Sequence, residues 1–560
     1  MKARAANRRI RVLAFLFGIL LAATLARAFW IQAIRGDAYA AMAIQQHRET
    51  VTVPAGRGTI VDREGDPLAI GRQAMTVYAN PQQVMNPRDL TLVVAQKLHL
   101  APQDVYPKLI NRSLGFVYLA RKVDPAKAAA LEKLDLPGLG FFHEEKRTYP
   151  QDRVAAQLLG FAGMDNRGLE GLERSLEPVL GGRAGSQTIV KDPSGRALDV
   201  ISTRPETPGR NVRLTIDSQL QAHAEEVLAE TVRSWGARAA SAVVMDPYTG
   251  AVLAMAVAPG FNANRFSTTR ADRRRNRAVT DTYEPGSTFK LVAITAALQE
   301  HVVNPRTTFR LAPTIRVSDR VIHEAHSRGT QLMSVRQIVE QSSNIGTVTI
   351  AQRLGEGRFA SWIDRFGFGR PTGIDFPGES AGFALPLDQW SGSTIGTVPI
   401  GQGIAVTPLQ MARAYSTIAN GGRLVEPYLV ERVGSHATEH GHGPRIVSRA
   451  VSKQMLSMLR GVVLEGTGTE AAIPGYTVAG KTGTAAKVDP SGRYSTSKYV
   501  ASFVGIVPAT KPRLVIMVMV DEPHGTIWGG LVAAPAFQQI ARFNLQHLEV
   551  PPDAPETVRR

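Results

Sequence analysis

Three short stretches of this 560-residue chain hold residue types that could do chemistry together. The first is Tyr283-Glu284-Pro285-Gly286-Ser287-Thr288-Phe289-Lys290. Pro285-Gly286 interrupts the preceding chain, and the apolar run Phe289–Leu298 follows with helical spacing. Ser287 is thereby placed at a helix start, where free backbone N–H groups and the dipole favour developing negative charge. Lys290 lies one turn on, along the same face. A serine hydroxyl is a weak nucleophile until a base comes within hydrogen-bond reach, and an amine serves as that base when burial or neighbouring cations lower its pKa. Taken alone, Ser-x-x-Lys is equally a helix cap followed by a surface lysine. Ser495-Thr496-Ser497-Lys498 repeats the pattern, but there the pattern is predicted to lie in a polar loop between strands and opens no apolar helix. It is read as a decoy.

The second stretch is Ser342-Ser343-Asn344, at the end of the helical segment Val335–Gln341. The third is Lys481-Thr482-Gly483-Thr484, inside the strand-like segment Tyr476–Ala485. Glycine within a strand points to close approach of another backbone or a ligand, and the flanking lysine and threonine could bind a carboxylate. A helix terminus and a lysine-protected edge strand are the plain structural readings of these two. Ser-x-Asn and Lys-Thr-Gly each occur once in the chain, in that order. With Ser-x-x-Lys they form the motif set of the penicillin-binding and serine β-lactamase superfamily.

These residues need a scaffold. Ala240–Asp246 and Ala251–Val257 flank the turn signal Pro247-Tyr248-Thr249-Gly250 and predict a hairpin. Tyr476–Ala485, Tyr499–Val507 and Arg513–Val520 supply three later strands. The expected assembly is one five-stranded antiparallel sheet in an α+β domain. Its long helical insertion includes Ser287–Glu300, Val335–Ser342 and Pro408–Asn420, and Ala533–Leu548 closes the domain as a helix. Residues 36–49 are Ala-rich and predict a helix, while Thr203–Arg210 has the composition of a linker.

Composition narrows the chemistry. Hydrophobic residues make up 44% and charged residues 20%, a balance that folds into cored domains. There is no cysteine, which excludes thiolate metal sites, cysteine nucleophiles and disulfides. The net charge of +17 favours polyanions. Lys2, Arg4, Arg8, Arg9 and Arg11 precede an apolar stretch from Val12 to Ala26. Continued through Trp30 to Ile34, that stretch reaches the roughly 20 residues that a membrane span needs. The basic flank sets the N-terminus inside and the body outside, where nucleic acid is not an expected partner. Ala26-Arg27-Ala28 keeps a cleaved signal peptide open as an alternative. His436, His440 and His442, with Glu439, match no firm zinc spacing and read as a hairpin tip. The run Arg270, Arg273, Arg274, Arg275 and Arg277 reads as a solvated face, or one that meets anionic substrate or lipid, rather than a nucleic-acid site.

The chain resembles the class B penicillin-binding proteins, the peptidoglycan D,D-transpeptidases, over nearly its whole length. Asn276–Asp281 running into Glu284-Pro285-Gly286-Ser287 is similar to the division-specific FtsI-type branch. Arg57–Arg63 and Gly168–Glu173 are similar to motifs of the family's membrane-proximal pedestal, and Gly401–Gln410 to a further family segment. The resemblance implies a penicillin-binding transpeptidase fold with helices on both faces of the sheet, preceded by a transmembrane helix and an elongated mixed α/β pedestal. The implied bounds are 1–11 cytoplasmic, 12–34 transmembrane, 35–210 pedestal, 211–548 transpeptidase and 549–560 a short tail.

It also implies roles. Ser287 would attack the penultimate D-Ala carbonyl of a stem peptide ending in D-Ala-D-Ala, and Lys290 would take its proton. Ser342 and Lys481 would help protonate the leaving amine, and Asn344 would hold Lys290 and the substrate amide. Thr482, Gly483 and Thr484 would line the substrate, with the threonine hydroxyls on its carboxylate. The backbone N–H groups of Ser287 and Thr484 would form the oxyanion hole. No metal or organic cofactor is implied. β-Lactams, membrane lipid and division proteins, including a glycosyltransferase, are the implied partners, with septal cross-linking at the plasma membrane as the task. An elongation-type enzyme and a membrane-anchored β-lactam receptor without turnover are the alternatives. The pedestal-like motifs argue against a glycosyltransferase-bearing class A protein. No separately placed glutamate supports a β-lactamase.

Overall fold

The computed structural model describes residues 2–37, 39, 48–191, 197–441, 443–489 and 491–554. The chain divides into two compact units, residues 1–56 with 182–208, and residues 57–181 with 209–560.

The first unit holds the helix Lys2–Phe29, which runs on as one wider turn through Trp30–Ile34. The 28 residues of Asn7–Ile34 are long and apolar enough to cross a membrane, spanning about 42 Å at 1.5 Å per residue. The unit also contains a three-stranded sheet in which Gly185–Lys191 lies between Arg48–Val53 and Ala197–Arg204. The helix expected over 36–49 falls mostly on residues 38 and 40–47, outside the described residues. Its last two residues, Arg48 and Glu49, begin a strand instead. The β-branched run Thr50-Val51-Thr52-Val53 that follows them suits a pleated ladder better than a helix. Thr203 and Arg204, expected in a linker, finish a strand of the same sheet.

The second unit opens on a seven-stranded sheet whose long strand Pro67–Ala79 pairs with Ile60–Val61, Val117–Val123 and Leu139–Thr148. Val212–Leu214 continues this sheet, parallel to Ile60–Val61 and antiparallel to Val430–Val433. Arg57 and Glu173, from the two pedestal-like motifs, meet here as a buried ion pair at 2.6 Å. Arg147 reaches the other oxygen of Glu173 at 2.6 Å, and Arg57 also bonds Glu177 at 2.7 Å. Two guanidiniums thus share one fully buried carboxylate.

The remainder of this unit is built on a second sheet. In chain order its elements are helix α1 (Ser218–Ser234), strands β1 (Ala239–Met245) and β2 (Val252–Ala258), and helices α2 (Lys290–Gln299), α3 (Asn344–Leu354) and α4 (Pro408–Ala419). They continue with strands β3 (Ala479–Val488), β4 (Tyr494–Val507) and β5 (Leu514–Asp521), and helix α5 (Gly529–His547). The strands form one five-stranded antiparallel sheet in the order β2-β1-β5-β4-β3, as expected. The whole of β5 is buried, because both faces of the sheet are covered. Val515, Met517 and Met519 join a core that includes Leu409, Met411 and Tyr415 of α4. Ile516, Val518 and Val520 join a separate core with Leu220 and Leu228 of α1 and Phe537 and Ile540 of α5. This explains the continuous apolar runs that marked the strands in the sequence.

Removing one partner of a buried ion pair costs about 3–5 kcal/mol, because the opposite charge stays buried without compensation. Glu173→Ala leaves Arg147 without its carboxylate and Arg57 with Glu177 alone, and is expected to destabilise this unit by that amount, read from the urea midpoint. A loss below about 1 kcal/mol, the scale of exposed pairs, would show that the network is not closed to water.

Candidate active site

The turn that carries Ser287 is tighter than the predicted helix start. Gly286–Phe289 form a 3-10 turn, and the α-helix begins at Lys290. Gly286 has φ +55, and its N–H donates to the Gly401 carbonyl at 3.1 Å. An added Cβ at Gly286 would lie 2.7 Å from the Thr484 carbonyl oxygen. Only glycine fits between these backbones, and its fit brings the serine turn against β3. Thr288 Oγ1 donates to the Pro285 carbonyl at 2.7 Å, and the buried Tyr415 hydroxyl donates to the Thr288 carbonyl at 2.9 Å. Glu284 accepts from the Gly403 N–H at 2.8 Å and from the Tyr494 hydroxyl at 3.1 Å. The Gly401–Gln410 segment therefore buttresses this turn.

Ser287 is half-buried and faces a cleft of about 790 Å³ that is also lined by Ser342, Asn344, Thr482, Thr484 and Trp528. Lys290 points inward and is 2% exposed. Its Nζ donates to the Ser342 carbonyl at 2.7 Å and to Asn344 Oδ1 at 2.7 Å, with the Ser342 hydroxyl at 3.3 Å. Burial, with the nearby Lys481 charge adding to it, pushes the Lys290 amine well below the ordinary lysine range.

Ser342-Ser343-Asn344 stand at the end of a helix, as expected, and also at the start of the next. Ser342 sits at φ +56 after the helix Val335–Glu340, and Asn344 opens α3. Ser343 is the cap of α3, its Oγ accepting from the Gly346 N–H at 2.9 Å. The left-handed residue turns the Ser342 carbonyl and the Asn344 side chain toward the same amine.

Lys481, Thr482, Gly483 and Thr484 lie on β3, the edge strand that packs against the serine turn. Alternation sends Lys481 and Gly483 to one face and Thr482 and Thr484 to the other. Lys481 is 1% exposed, so it is no solvent-facing guard of the edge. Burial lowers its pKa to about 7. The Thr482 and Thr467 hydroxyls are 2.7 Å apart, and Thr484 Oγ1 accepts from the Gly529 N–H at 3.2 Å. An added Cβ at Gly483 would collide with the Ser502 hydroxyl and lie 2.9 Å from the Pro285 carbonyl. The close approach expected at this glycine is therefore present. Ser287, Ser342, Asn344, Thr482 and Thr484 line one cleft, and the Lys290 and Lys481 side chains are buried.

Other expectations change. Ser495 and Lys498 lie on β4 rather than in a loop, because the β3–β4 hairpin pairs as far out as Val488 and Tyr494. Lys498 is exposed and 3.9 Å from Glu522, remote in character from a buried base. The arginine run is not simply solvated. Arg274 pairs with Glu170 at 3.0 Å, and Arg275 and Arg277 both pair with Asp281, at 2.9 and 2.7 Å. His442 lies outside the described residues. His440 stacks on Tyr428 with ring centres 3.4 Å apart. Among the described residues no group of three acidic or histidine side chains could hold a metal.

Sequence reasoning missed Glu324, which accepts from the Ser343 hydroxyl at 2.6 Å and the Asn344 N–H at 2.8 Å. It also missed Thr467, Gly529 and the His326–Trp528 ring contact on the cleft wall. Apart from Gly529, which opens α5, these residues come from loops, and no motif marks any of them.

With this geometry in place, comparison with known proteins is direct. Residues 240–542 match the penicillin binding protein transpeptidase domain, and residues 52–214 the penicillin-binding protein dimerisation domain. The chain belongs to the penicillin-binding protein transpeptidases. Within them it is a class B protein, a serine D,D-transpeptidase acting on peptidoglycan, closely related to the FtsI type. It is 34% identical over 544 residues to the peptidoglycan D,D-transpeptidase FtsI of Escherichia coli, covering 96% of this chain and 91% of that one. It is 35% identical over 553 residues to stage V sporulation protein D of Bacillus subtilis, covering 96% and 85%. Among solved structures it superimposes on penicillin binding protein 3 of Mycobacterium tuberculosis complexed with aztreonam, with TM-score 0.71 and 31% identity, covering 90% and 99%.

Gly483→Ala is expected to push the Pro285–Ser287 turn away from β3. A displacement near 1 Å slows a positioned reaction by up to about a hundredfold, so acylation by a fluorescent penicillin should fall at least about tenfold. An unchanged rate would mean that the strand gives way without moving the serine.

Proposed function

We propose that Ser287 is the nucleophile and Lys290 its general base. The observation that carries this reading is the Lys290 amine, buried and held by two carbonyl-type acceptors at 2.7 Å each. A neutral amine has two N–H donors and one lone pair. With both donors engaged, the lone pair is left for the Ser287 hydroxyl one turn back. Ser287 Oγ then bonds to the carbonyl carbon of the penultimate D-Ala, and the C–N bond to the terminal D-Ala breaks. Ser342 and Lys481 carry a proton to the leaving amine, and Asn344 holds the substrate amide. The Thr482 and Thr484 hydroxyls and the Lys481 charge take the terminal carboxylate. The Ser287 and Thr484 N–H groups receive the oxyanion, where one such donor is worth about 3–4 kcal/mol. An amine from a neighbouring stem peptide takes the acyl group and completes the cross-link. A β-lactam follows the same first step and leaves an ester on Ser287.

The task we assign is septal cross-linking. The support is similarity to a protein named FtsI through both the dimerisation and transpeptidase regions. The helix within Asn7–Ile34 serves as a single-pass anchor with its basic end in the cytoplasm, followed by a pedestal to residue 210, a transpeptidase domain from 211 to 548 and a short tail. Division proteins, a glycosyltransferase among them, are the partners that this placement suits. Septal rather than side-wall fluorescence of a tagged protein tests the assignment, and uniform side-wall signal would favour an elongation role.

Ser287→Ala should abolish covalent labelling by fluorescent penicillin, while Ser495→Ala should leave it intact. Labelling that survives loss of Ser287 would refute the mechanism.

The pH dependence has a definite sign. Lys290 accepts a proton only when neutral, so acylation rises as it deprotonates, far below the ordinary lysine range. Lys481 attracts the carboxylate only when charged, so the rate falls as it deprotonates near pH 7. Stopped-flow acylation should give a bell, its two limbs belonging to the coupled pair. A rate that climbs steadily toward pH 10, where an unperturbed lysine titrates, would contradict it.

A further inference from the structure

The cleft wall supplies a carboxylate to which the reaction above gives no role. Glu324 follows the hairpin Thr314–Val317/Arg320–His323, and its side chain is 4% exposed. Its Oε1 accepts from the Ser343 hydroxyl at 2.6 Å and lies 2.7 Å from Arg328 Nη2. Its Oε2 accepts from the Asn344 N–H at 2.8 Å. The His323 carbonyl, one residue earlier, accepts from Asn344 Nδ2 at 2.9 Å. Arg328 also donates to Gln341 Oε1 at 3.3 Å, just ahead of Ser342.

These contacts bracket a strained residue. Ser342 has φ +56, a left-handed conformation that is unfavourable for a residue with a side chain and persists where its surroundings over-determine it. The His323 and Asn344 pairing also fixes which way the amide faces. With Nδ2 on the His323 carbonyl, Oδ1 must point at Lys290 Nζ. Both acceptors that hold the Lys290 amine are therefore set by a turn that Glu324 grips from the other side.

We propose that Glu324 is a positioning residue of this active site, holding the Ser342–Asn344 turn so that Lys290 presents its amine to Ser287. The inference rests on the reading of Ser287 and Lys290 as nucleophile and base. The charged groups around the Lys290 amine are Lys481, Glu324 and Arg328. Glu324 favours the protonated amine, whereas Lys481 and Arg328, like burial, oppose it. Glu324 therefore acts twice, through geometry and through charge, and the two effects separate experimentally. Removing its charge lowers the pKa of Lys290 and moves the acid limb of acylation to lower pH. Removing the Arg328 charge moves that limb upward.

The test uses the full-length protein and a fluorescent penicillin, with acylation rates taken across the acid and neutral range for wild type, Glu324→Gln, Glu324→Asp, Arg328→Gln and Ser287→Ala. Glu324→Gln should acylate up to about a hundredfold more slowly, the scale of a 1 Å misplacement, with its acid limb displaced downward. Glu324→Asp, which keeps the charge, should recover part of the rate and the wild-type limb. Arg328→Gln should shift the limb the opposite way, and this arm stands if Glu324→Gln fails to fold. A folded Glu324→Gln protein with wild-type rate would overturn the proposal. So would a slow one with an unmoved limb, or an Arg328→Gln limb that moves down or stays in place. Failure of wild type to label, or labelling of Ser287→Ala, would instead sink the assignment of nucleophile and base.

Discussion

A buried lysine whose amine is pushed below its ordinary range by burial is the constraint around which this active site is arranged. Burying an ammonium is costly unless it is paired, and the usual outcome is a lowered pKa. The acceptors placed on Lys290, the Ser342 carbonyl and Asn344 Oδ1, satisfy the N–H groups of an amine without giving it a counter-ion in contact. The carboxylate of Glu324 is turned toward Ser343, Asn344 and Arg328 instead. A salt bridge made directly to Lys290 would have favoured its charged form. The left-handed Ser342 and the cap at Ser343 follow from that need, because they aim two acceptors at one point.

The sheet provides what the turn cannot, a rigid edge facing the serine. Because β3 has a neighbour on one side only, its other side is free to meet the Gly286 turn. The Lys-Thr-Gly sequence then divides its duties by alternation. Lys481 faces inward, where burial lowers its pKa, while Thr482 meets the loop at Thr467 and Thr484 the start of α5 at Gly529. Two separate cores, one on each face of the sheet, hold this edge in place.

Much of this was legible before the structure. The five strands were visible because each is an apolar, β-branched run, and the motif residues because chemistry needs their side chains at short spacing. The limits have physical causes. Ser342–Asn344 was expected at a helix end and stands there, but the helix that Asn344 opens was not foreseen, since polar residues cap helices at either end and a positive φ leaves no mark at a serine. Ser495 was expected in a loop, because the polar residues of β4 run beyond the sheet core into solvent. Glu324 was invisible, since Ser343 and Asn344, which it grips, stand 19 and 20 residues away and are reached through a loop. The two pedestal-like motifs were recognised by resemblance alone. Their meeting in the pair Arg57–Glu173 gives them a physical reason.

The protonation state of Lys290 is the most direct test of this account. Protein carrying [ε-13C]lysine, with Lys290 assigned from a Lys290→Arg variant, can be titrated by NMR before any ligand is added. The account predicts a Lys290 resonance that titrates well below those of the exposed lysines. A Lys290 signal that titrates with the surface lysines near pH 10.4 would contradict it, leaving Ser287 without a base.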